Sequence, residues 1–474
     1  MNGSPALVWF RQDLRLADNP ALRAAAREGR AVLPVYVLDD DAAGAWRMGG
    51  AHRWWLHHSL NALATGLKAL GATLVLRRGD AASIIAGLAR ETGASEVHAG
   101  RLAEPWARRQ ADAVAASLGG GATLHLHRAS TLLDADAVRT KTGGVYGVYT
   151  PFARACRAMG DVPPPLPAPR HLAGIHAKSD RLDTWGLLPE APDWAGGLRD
   201  TWSPGEAGGH ARMARFMADA LGEYADGRNI PGRDLTSMLS PHLHWGELSP
   251  AQVWQAASQA APGPALQKFQ SELLWREFAA YLLWHYPHLP SAPLRPDYAR
   301  LKWRVDPAGL LAWQSGRTGV PIVDAGMRQL WHIGWMHNRV RMITASFLVK
   351  HLLVSWIDGE TWFWDTLVDG DLAANAASWQ WIAGSGTDSQ PFFRVFNPVT
   401  QGEKFDPDGA YVRRWVPELA AVPDKHLHAP WNAPDTVLAG AGITLGREYP
   451  RPVVALAEGR DRALAAFNAM RAAA

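Results

Sequence analysis

Between residues 6 and 127, five short apolar runs alternate with helix-period stretches, and few folds accommodate that alternation. The runs are residues 6–10, 31–39, 73–78, 96–99 and 123–127, with helical patterns such as 54–70 and 81–91 between them. Apolar strands separated by helices predict an α/β domain built on a parallel, doubly wound sheet covered on both faces. No G-x-G-x-x-G follows the first run, so the usual dinucleotide fingerprint is missing. Gly384-Ser385-Gly386 is a partial look-alike, but it follows a helix-like segment and is discounted.

The pattern then changes. Residues 132–200 carry Pro163-Pro164-Pro165, Pro167 and Pro169 and read as a long connection crossing the surface, interrupted by a few helical turns near 151–159. From about residue 208 onward the periodicity is helical, with apolar stripes at 211–221, 251–260, 266–285, 323–332, 339–356 and 361–368, and a last helix at 456–471. Ser249-Pro250 reads as a helix start, with a serine cap and proline in the first position. The expected domains are therefore an α/β domain at 1–131, a connector at 132–200 and an all-α domain at 201–474.

Composition narrows the function. The single cysteine, Cys156, excludes disulfides within the chain, cysteine-ligated zinc and iron–sulfur clusters. A net charge of +3 permits a polyanionic partner without demanding one. The 23 tryptophans serve cores and interfaces first, and can also stack on bases or flavins. No apolar run is long enough to span a bilayer. No signal peptide is expected at the start, and a cytoplasmic location is the default.

Four constellations could carry chemistry. Thr236-Ser237-Met238-Leu239-Ser240 places three hydroxyls before a helix start, suited to phosphate oxygens or simply to capping. Glu272, Trp275 and Arg276 share a face of the 266–285 helix and suggest a cavity wall; the alternative is a Glu272–Arg276 surface pair beside a core tryptophan. Asn338, Arg341 and Met342 share a face of the next helix, where Arg339 and Arg341 could contact phosphates or form a solvated basic start. Asp369 and Asp371, with Asn375 one turn later, form a polar pocket, an ion pair with Arg341, or an acid-rich helix start; no third ligand completes a metal set, so no metal site is expected.

The order of these segments resembles the DNA photolyase/cryptochrome family over nearly the whole chain. Leu7-Val8-Trp9-Phe10-Arg11-Gln12-Asp13-Leu14-Arg15-Leu16 is similar to its opening strand and turn. The run from Gly334 through Phe405 is closer still, with GWMHNRVRMITASFLVKHLL, DGDLAAN, WQW and FNPVTQGEKFD. The resemblance implies an antenna domain joined to a helical domain holding FAD. By resemblance, Tyr224, Thr236, Ser237, Met238, Leu239 and Ser240 hold the flavin phosphates and nearby groups. Arg276, Trp335, Arg341, Asp369 and Asp371 line the rest, and Phe269 supplies an apolar wall where the family often has tryptophan. Asn375 would face the reactive edge of the flavin, as in photolyases.

The resemblance further implies UV-damaged DNA as partner. Glu272, Trp275, Asn338, Met342 and Trp381 match positions around a flipped-out dimer, and Arg228, Arg339 and Gln401 match positions near the DNA. Trp303, Trp356 and Trp379 match the electron-transfer chain. Members that repair the 6-4 photoproduct have histidines at Asn338 and Met342, so the cyclobutane pyrimidine dimer is favoured. The implied activity is a carbon–carbon lyase reaction driven by light and reduced FAD. His52 and Glu104 resemble antenna-contacting positions, with methenyltetrahydrofolate favoured over deazaflavin. A monomer with no obligate protein partner is expected. Two alternatives share part of this pattern: a cryptochrome-type photoreceptor, which usually has a C-terminal extension, and a nucleic-acid-binding module without chemistry.

Overall fold

Each of the five apolar runs forms a strand. β1 (Ala6–Phe10) is buried at every position and β2 (Ala31–Leu38) at all but the first, as strands covered on both faces must be. β3 (Val75–Arg78), β4 (Glu96–Arg101) and β5 (Thr123–Arg128) complete the set. The computed structural model describes residues 4–389, 391–392 and 394–472. The sheet order is β3-β2-β1-β4-β5, and every pairing is parallel. A two-residue strand, β6 (Ala173–Gly174), adds to the start of β2. The order reverses between β1 and β4, so the carboxyl ends of those strands flank the crevice where open α/β sheets take ligands.

By internal packing the chain divides into two units. One comprises Met1–Gly222, Ser237–Pro287 and Val368–Ala373; the other comprises Glu223–Thr236, His288–Leu367 and Ala374–Ala474. In the first, helices Gly50–Ala69, Ala81–Thr92 and Pro105–Ser117 flank the sheet. Asp80 caps the second of these through Ser83 N at 2.7 Å, and Gly93 ends it in the left-handed region at φ 67°. Within residues 132–200 the turns near 151–159 form the helix Tyr149–Ala158. The helix Pro250–Ala257 starts at Ser249 with a complete capping box to Gln252.

The second unit is helical. Pro321–Ile333 packs against Asn338–Ser346 so closely that a Cβ on Gly326 would lie 2.4 Å from Val340. The single helix expected over 339–356 is not found. The α-helix ends at Ser346, widens into a π-helical turn at Phe347–Leu352, and stops at Leu353 with φ 54°. A new helix, Trp356–Thr366, then starts behind Ser355. The periodicity misleads here because apolar side chains continue through the break. Within the wide turn Lys350 is buried, its Nζ donating to Arg394 O at 3.0 Å and lying 5.1 Å from the Phe392 ring. Burial lowers its pKa to about 7. Among the described residues no helix is long and apolar enough to cross a membrane.

Candidate functional site

The helix Pro264–His285 presents Glu272, Trp275 and Arg276 in the first unit. Trp275 lies flat on Tyr149, with ring centroids 3.7 Å apart and planes 6° from parallel. Glu272 pairs with Lys268, one turn back, at 3.0 Å. The sequence alternative had paired it with Arg276; both partners are four residues away, and spacing does not distinguish them. Arg276 instead donates to the carbonyls of Ser130 and Leu243 and stands 3.9 Å from Asp371. Phe269 is buried against Phe216.

The hydroxyl loop belongs to both units, Thr236 to one and Ser237, Met238, Leu239 and Ser240 to the other. Met238 adopts φ 49°, and its sulfur accepts from Arg212 at 3.6 Å. Leu239 is buried, and its N–H donates to Ser237 Oγ at 3.4 Å. Asp369 is buried, and its carbonyl accepts from Asp371 N at 2.7 Å.

At the carboxyl ends of β1 and β4, still in the first unit, lies a cavity of about 130 Å³. Gln12, Arg101, Glu104, Arg276, Glu277 and Asp371 are among the residues lining it. Burial, reinforced by Asp371, pushes the Glu104 carboxyl up to about 7 against the pull of Arg11 and Arg276. Burial also lifts Glu277 to about 7, opposed by Arg276 and by backbone N–H groups. His52, the other expected antenna contact, is not among the residues lining this cavity. It is buried and stacks on His244 at 5.2 Å, and burial holds it well below the usual imidazole range.

These shifts give a signed prediction. Unfolded, Glu104 titrates near 4.5; folded, near 7. Between those values the folded chain binds a proton that the unfolded chain has lost, so stability falls as pH rises through that window. Glu104→Gln is expected to flatten this dependence, seen as a smaller difference between urea midpoints at about pH 5 and about pH 8. An unchanged pH dependence would contradict it.

In the second unit, cations gather around one imidazole. His337 caps the helix Asn338–Ser346 by accepting from Arg339 N at 3.2 Å. Burial first, then the charges of Arg228, Arg339 and Arg341, hold it down to about 3, so it is neutral. Arg339 donates to Asn229 Oδ1 at 2.7 Å and lies 4.4 Å over the Phe405 ring. Arg228 lies over Tyr224 at 5.6 Å. Arg341 donates to Met336 O at 2.7 Å, 5.8 Å from the Trp335 ring. Asn338 is exposed, while Met342 and Trp381 are partly buried against the helical core. Gln401 lies in the helix Pro398–Phe405.

Asn375 is buried, and its Nδ2 donates to the backbone carbonyl of Glu360 at 3.0 Å. The Glu360 side chain, absent from the sequence reading, is fully buried with neither carboxyl oxygen bonded. Burial raises its pKa well above the usual range, so it holds its proton. An acid inside the apolar run Trp356-Ile357-Asp358-Gly359-Glu360-Thr361-Trp362-Phe363-Trp364 is the signal that could have found it. Trp379 and Trp356 are buried in one core cluster, and the partly buried Trp303 packs on its outside. Gly359 leaves room for the Trp379 ring, which a Cβ there would meet at 2.1 Å.

Two family models match. The one described as DNA photolyase covers residues 6–170, and the one described as FAD binding domain of DNA photolyase covers residues 269–469. The chain is 47% identical over 474 residues to the deoxyribodipyrimidine photo-lyase of Agrobacterium fabrum, covering 99% of this chain and 98% of that protein. It is 36% identical to Cryptochrome-1 of Arabidopsis thaliana, covering 99% of this chain and 71% of that protein. A bacterial class III photolyase from Agrobacterium tumefaciens superposes with a TM-score of 0.96 at 47% identity, over 99% of this chain and 98% of that one. The chain therefore belongs to the DNA photolyase/cryptochrome family.

Proposed function

We propose that this protein is a DNA photolyase that reverses cyclobutane pyrimidine dimers. The observation that carries the reading is the likeness, over the full length, to the Agrobacterium fabrum deoxyribodipyrimidine photo-lyase. The domains are an antenna domain at 1–131, a connector at 132–200 and a helical FAD domain at 201–474.

The residues present suit a flavin. The Asn375 amide is fixed by the Glu360 backbone carbonyl, and its remaining oxygen is left to meet a donor of the ring edge. Ser237, Ser240 and Arg276 offer hydroxyls and a cation for phosphates. Bound reduced FAD would supply the chemistry, a light-driven electron passed to the dimer and returned after the ring has split. The chain's own residues do the positioning. Asn375 is held by the Glu360 carbonyl, and Glu360, being protonated, adds no negative charge. Arg228 and Arg339 meet DNA phosphates, and their positive charge helps keep the neighbouring His337 neutral. Trp275 and Trp381 offer faces for the flipped dimer. Trp303, Trp356 and Trp379 form the electron route from the surface.

Glu272 touches the dimer in this reading. Glu272→Ala is expected to weaken dimer binding or repair by about tenfold or more while bound FAD, read from its visible spectrum, is retained. Loss of FAD in that variant would contradict the assignment. An antenna chromophore, methenyltetrahydrofolate in preference to deazaflavin, is assigned to Glu104 and His52. The protein works as a monomer in the cytoplasm and needs no protein partner.

A cryptochrome photoreceptor is the second reading, favoured by the 36% identity to the Arabidopsis protein. Repair separates the two. Chemically reduced protein is mixed with DNA carrying one thymine dimer, under blue light and in the dark. Light-dependent recovery of thymines is the expected result; bound FAD without repair would move the assignment to a photoreceptor.

A further inference from the structure

A second concave surface in the helical unit uses none of the residues given a role above. It is a groove of about 580 Å³, lined among others by Leu311, Arg328, Trp331, Trp362, Arg414 and Trp415. That volume lies within the roughly 300–1,000 Å³ of small-molecule sites. The helix Pro321–Ile333 delivers Arg328 and Trp331, the helix Trp356–Thr366 delivers Trp362, and the helix Ala410–Trp415 delivers Arg414 and Trp415.

Two properties of the groove define the ligand it would take. The first is aromatic surface left in water. The Trp331 and Trp362 rings are parallel to 5° with centroids 5.9 Å apart, yet Trp331 is 58% exposed and Leu311 64%. The second is charge without a counter-charge. Among the described residues no carboxylate lines the groove. Arg328 is held by Glu418 at 2.8 Å, but Arg414 has no carboxylate partner among the described residues and lies 5.2 Å over Trp415. His332 adds an exposed imidazole 5.9 Å from Trp415.

An apolar partner would cover the indoles but desolvate Arg414 unpaired. A bare anion would neutralise Arg414 but leave the indoles wet. A planar aromatic carrying negative charge satisfies both. We propose that this groove binds a nucleotide, its base extending the Trp331–Trp362 stack and its phosphate on Arg414. The same chemistry is offered by a free nucleotide and by an unpaired nucleotide of a strand. The inference does not depend on the photolyase reading.

The test uses the full chain with FAD bound and etheno-AMP as fluorescent probe, read by anisotropy at low salt. Saturable binding is expected, weakened about tenfold or more by Trp331→Ala, an exposed position whose loss the fold tolerates. Arg414→Gln should weaken etheno-AMP but leave etheno-adenosine, which has no phosphate, unchanged. Competition by AMP against a short undamaged oligothymidylate identifies the source, since the true one displaces the probe at lower concentration. Absent saturation, or unchanged binding in both variants, overturns the proposal. So does loss of binding in Trp275→Ala instead, which would place the probe in the dimer pocket. Sedimentation revealing a dimer that Trp331→Ala dissolves would assign the stack to a second copy and overturn it equally.

Discussion

Trp379→Phe is expected to abolish light-driven reduction of oxidised flavin while repair by chemically reduced enzyme continues. The indole at 379 is buried in the core cluster that contains Trp356, with Trp303 packed on its outside, so burial decreases along the three toward solvent. Phenylalanine keeps an apolar ring there but is far harder to oxidise than an indole. Trp379 meets Phe363 edge-on at 5.0 Å and Trp313 at 6.1 Å, contacts that a smaller ring largely retains. The variant should therefore fold and bind flavin. Photoreduction is followed by bleaching of the flavin's visible bands with an external donor, and repair by recovery of thymines after dithionite reduction. Unchanged photoreduction would move the electron route away from Trp379. Gly359→Ala provides a second approach, because its new Cβ would press on the same ring at 2.1 Å and on Leu348 at 2.7 Å.

Asp324→Ala is expected to cost about 3 kcal/mol of stability, read from chemical denaturation. Asp324 is completely buried in the helical unit, and four donors converge on it. Thr318 N and Thr318 Oγ1 reach Oδ1 at 2.6 Å each; Gly319 N at 3.0 Å and the Tyr449 hydroxyl at 2.6 Å reach Oδ2. Alanine leaves all four buried without an acceptor, and unmet donors cost more than the bonds had contributed. Tyr449→Phe removes one donor together with its bond and should cost only about 1 kcal/mol. Equal losses in the two variants would show that the carboxylate is not the hub. Neither change touches a residue assigned to flavin or DNA, so repair per folded molecule should persist.

Much of this was legible in the sequence, and the failures have physical causes. β1 and β2, buried on both faces, read as continuous apolar runs; β5, largely exposed, shows only Leu124 and Leu126 alternating with polar residues, yet all five strands lie within two residues of their expected ends. β6 has only two residues, Ala173 and Gly174, and a run that short has no period to detect. The Ser249 cap was legible because capping is chemistry within four residues. The partner of Glu272 was not, because Lys268 and Arg276 are equally spaced from it. Tyr149 under Trp275 is a contact across more than a hundred residues, which no local pattern carries. The crowd of arginines around His337 was half visible: Arg339 and Arg341 are neighbours in sequence, whereas Arg228 arrives from elsewhere. Glu360 was missed because acids were weighed where they joined other polar groups, and this one shares a largely apolar stretch with no other acid than Asp358.

The wide turn at Phe347–Leu352 makes chain length there a matter of angle. The segment closes its turns over five residues rather than four, so deleting one residue from it would draw the wide turn in towards α-helical pitch. Lys350 would swing off the Arg394 carbonyl with its amine still enclosed, and Leu353 would no longer sit where its left-handed bend releases the chain toward Ser355. The wide turn thus stores one residue of slack, and what a deletion there would cost is the placement of Lys350 on the Arg394 carbonyl rather than the course of the helix before it.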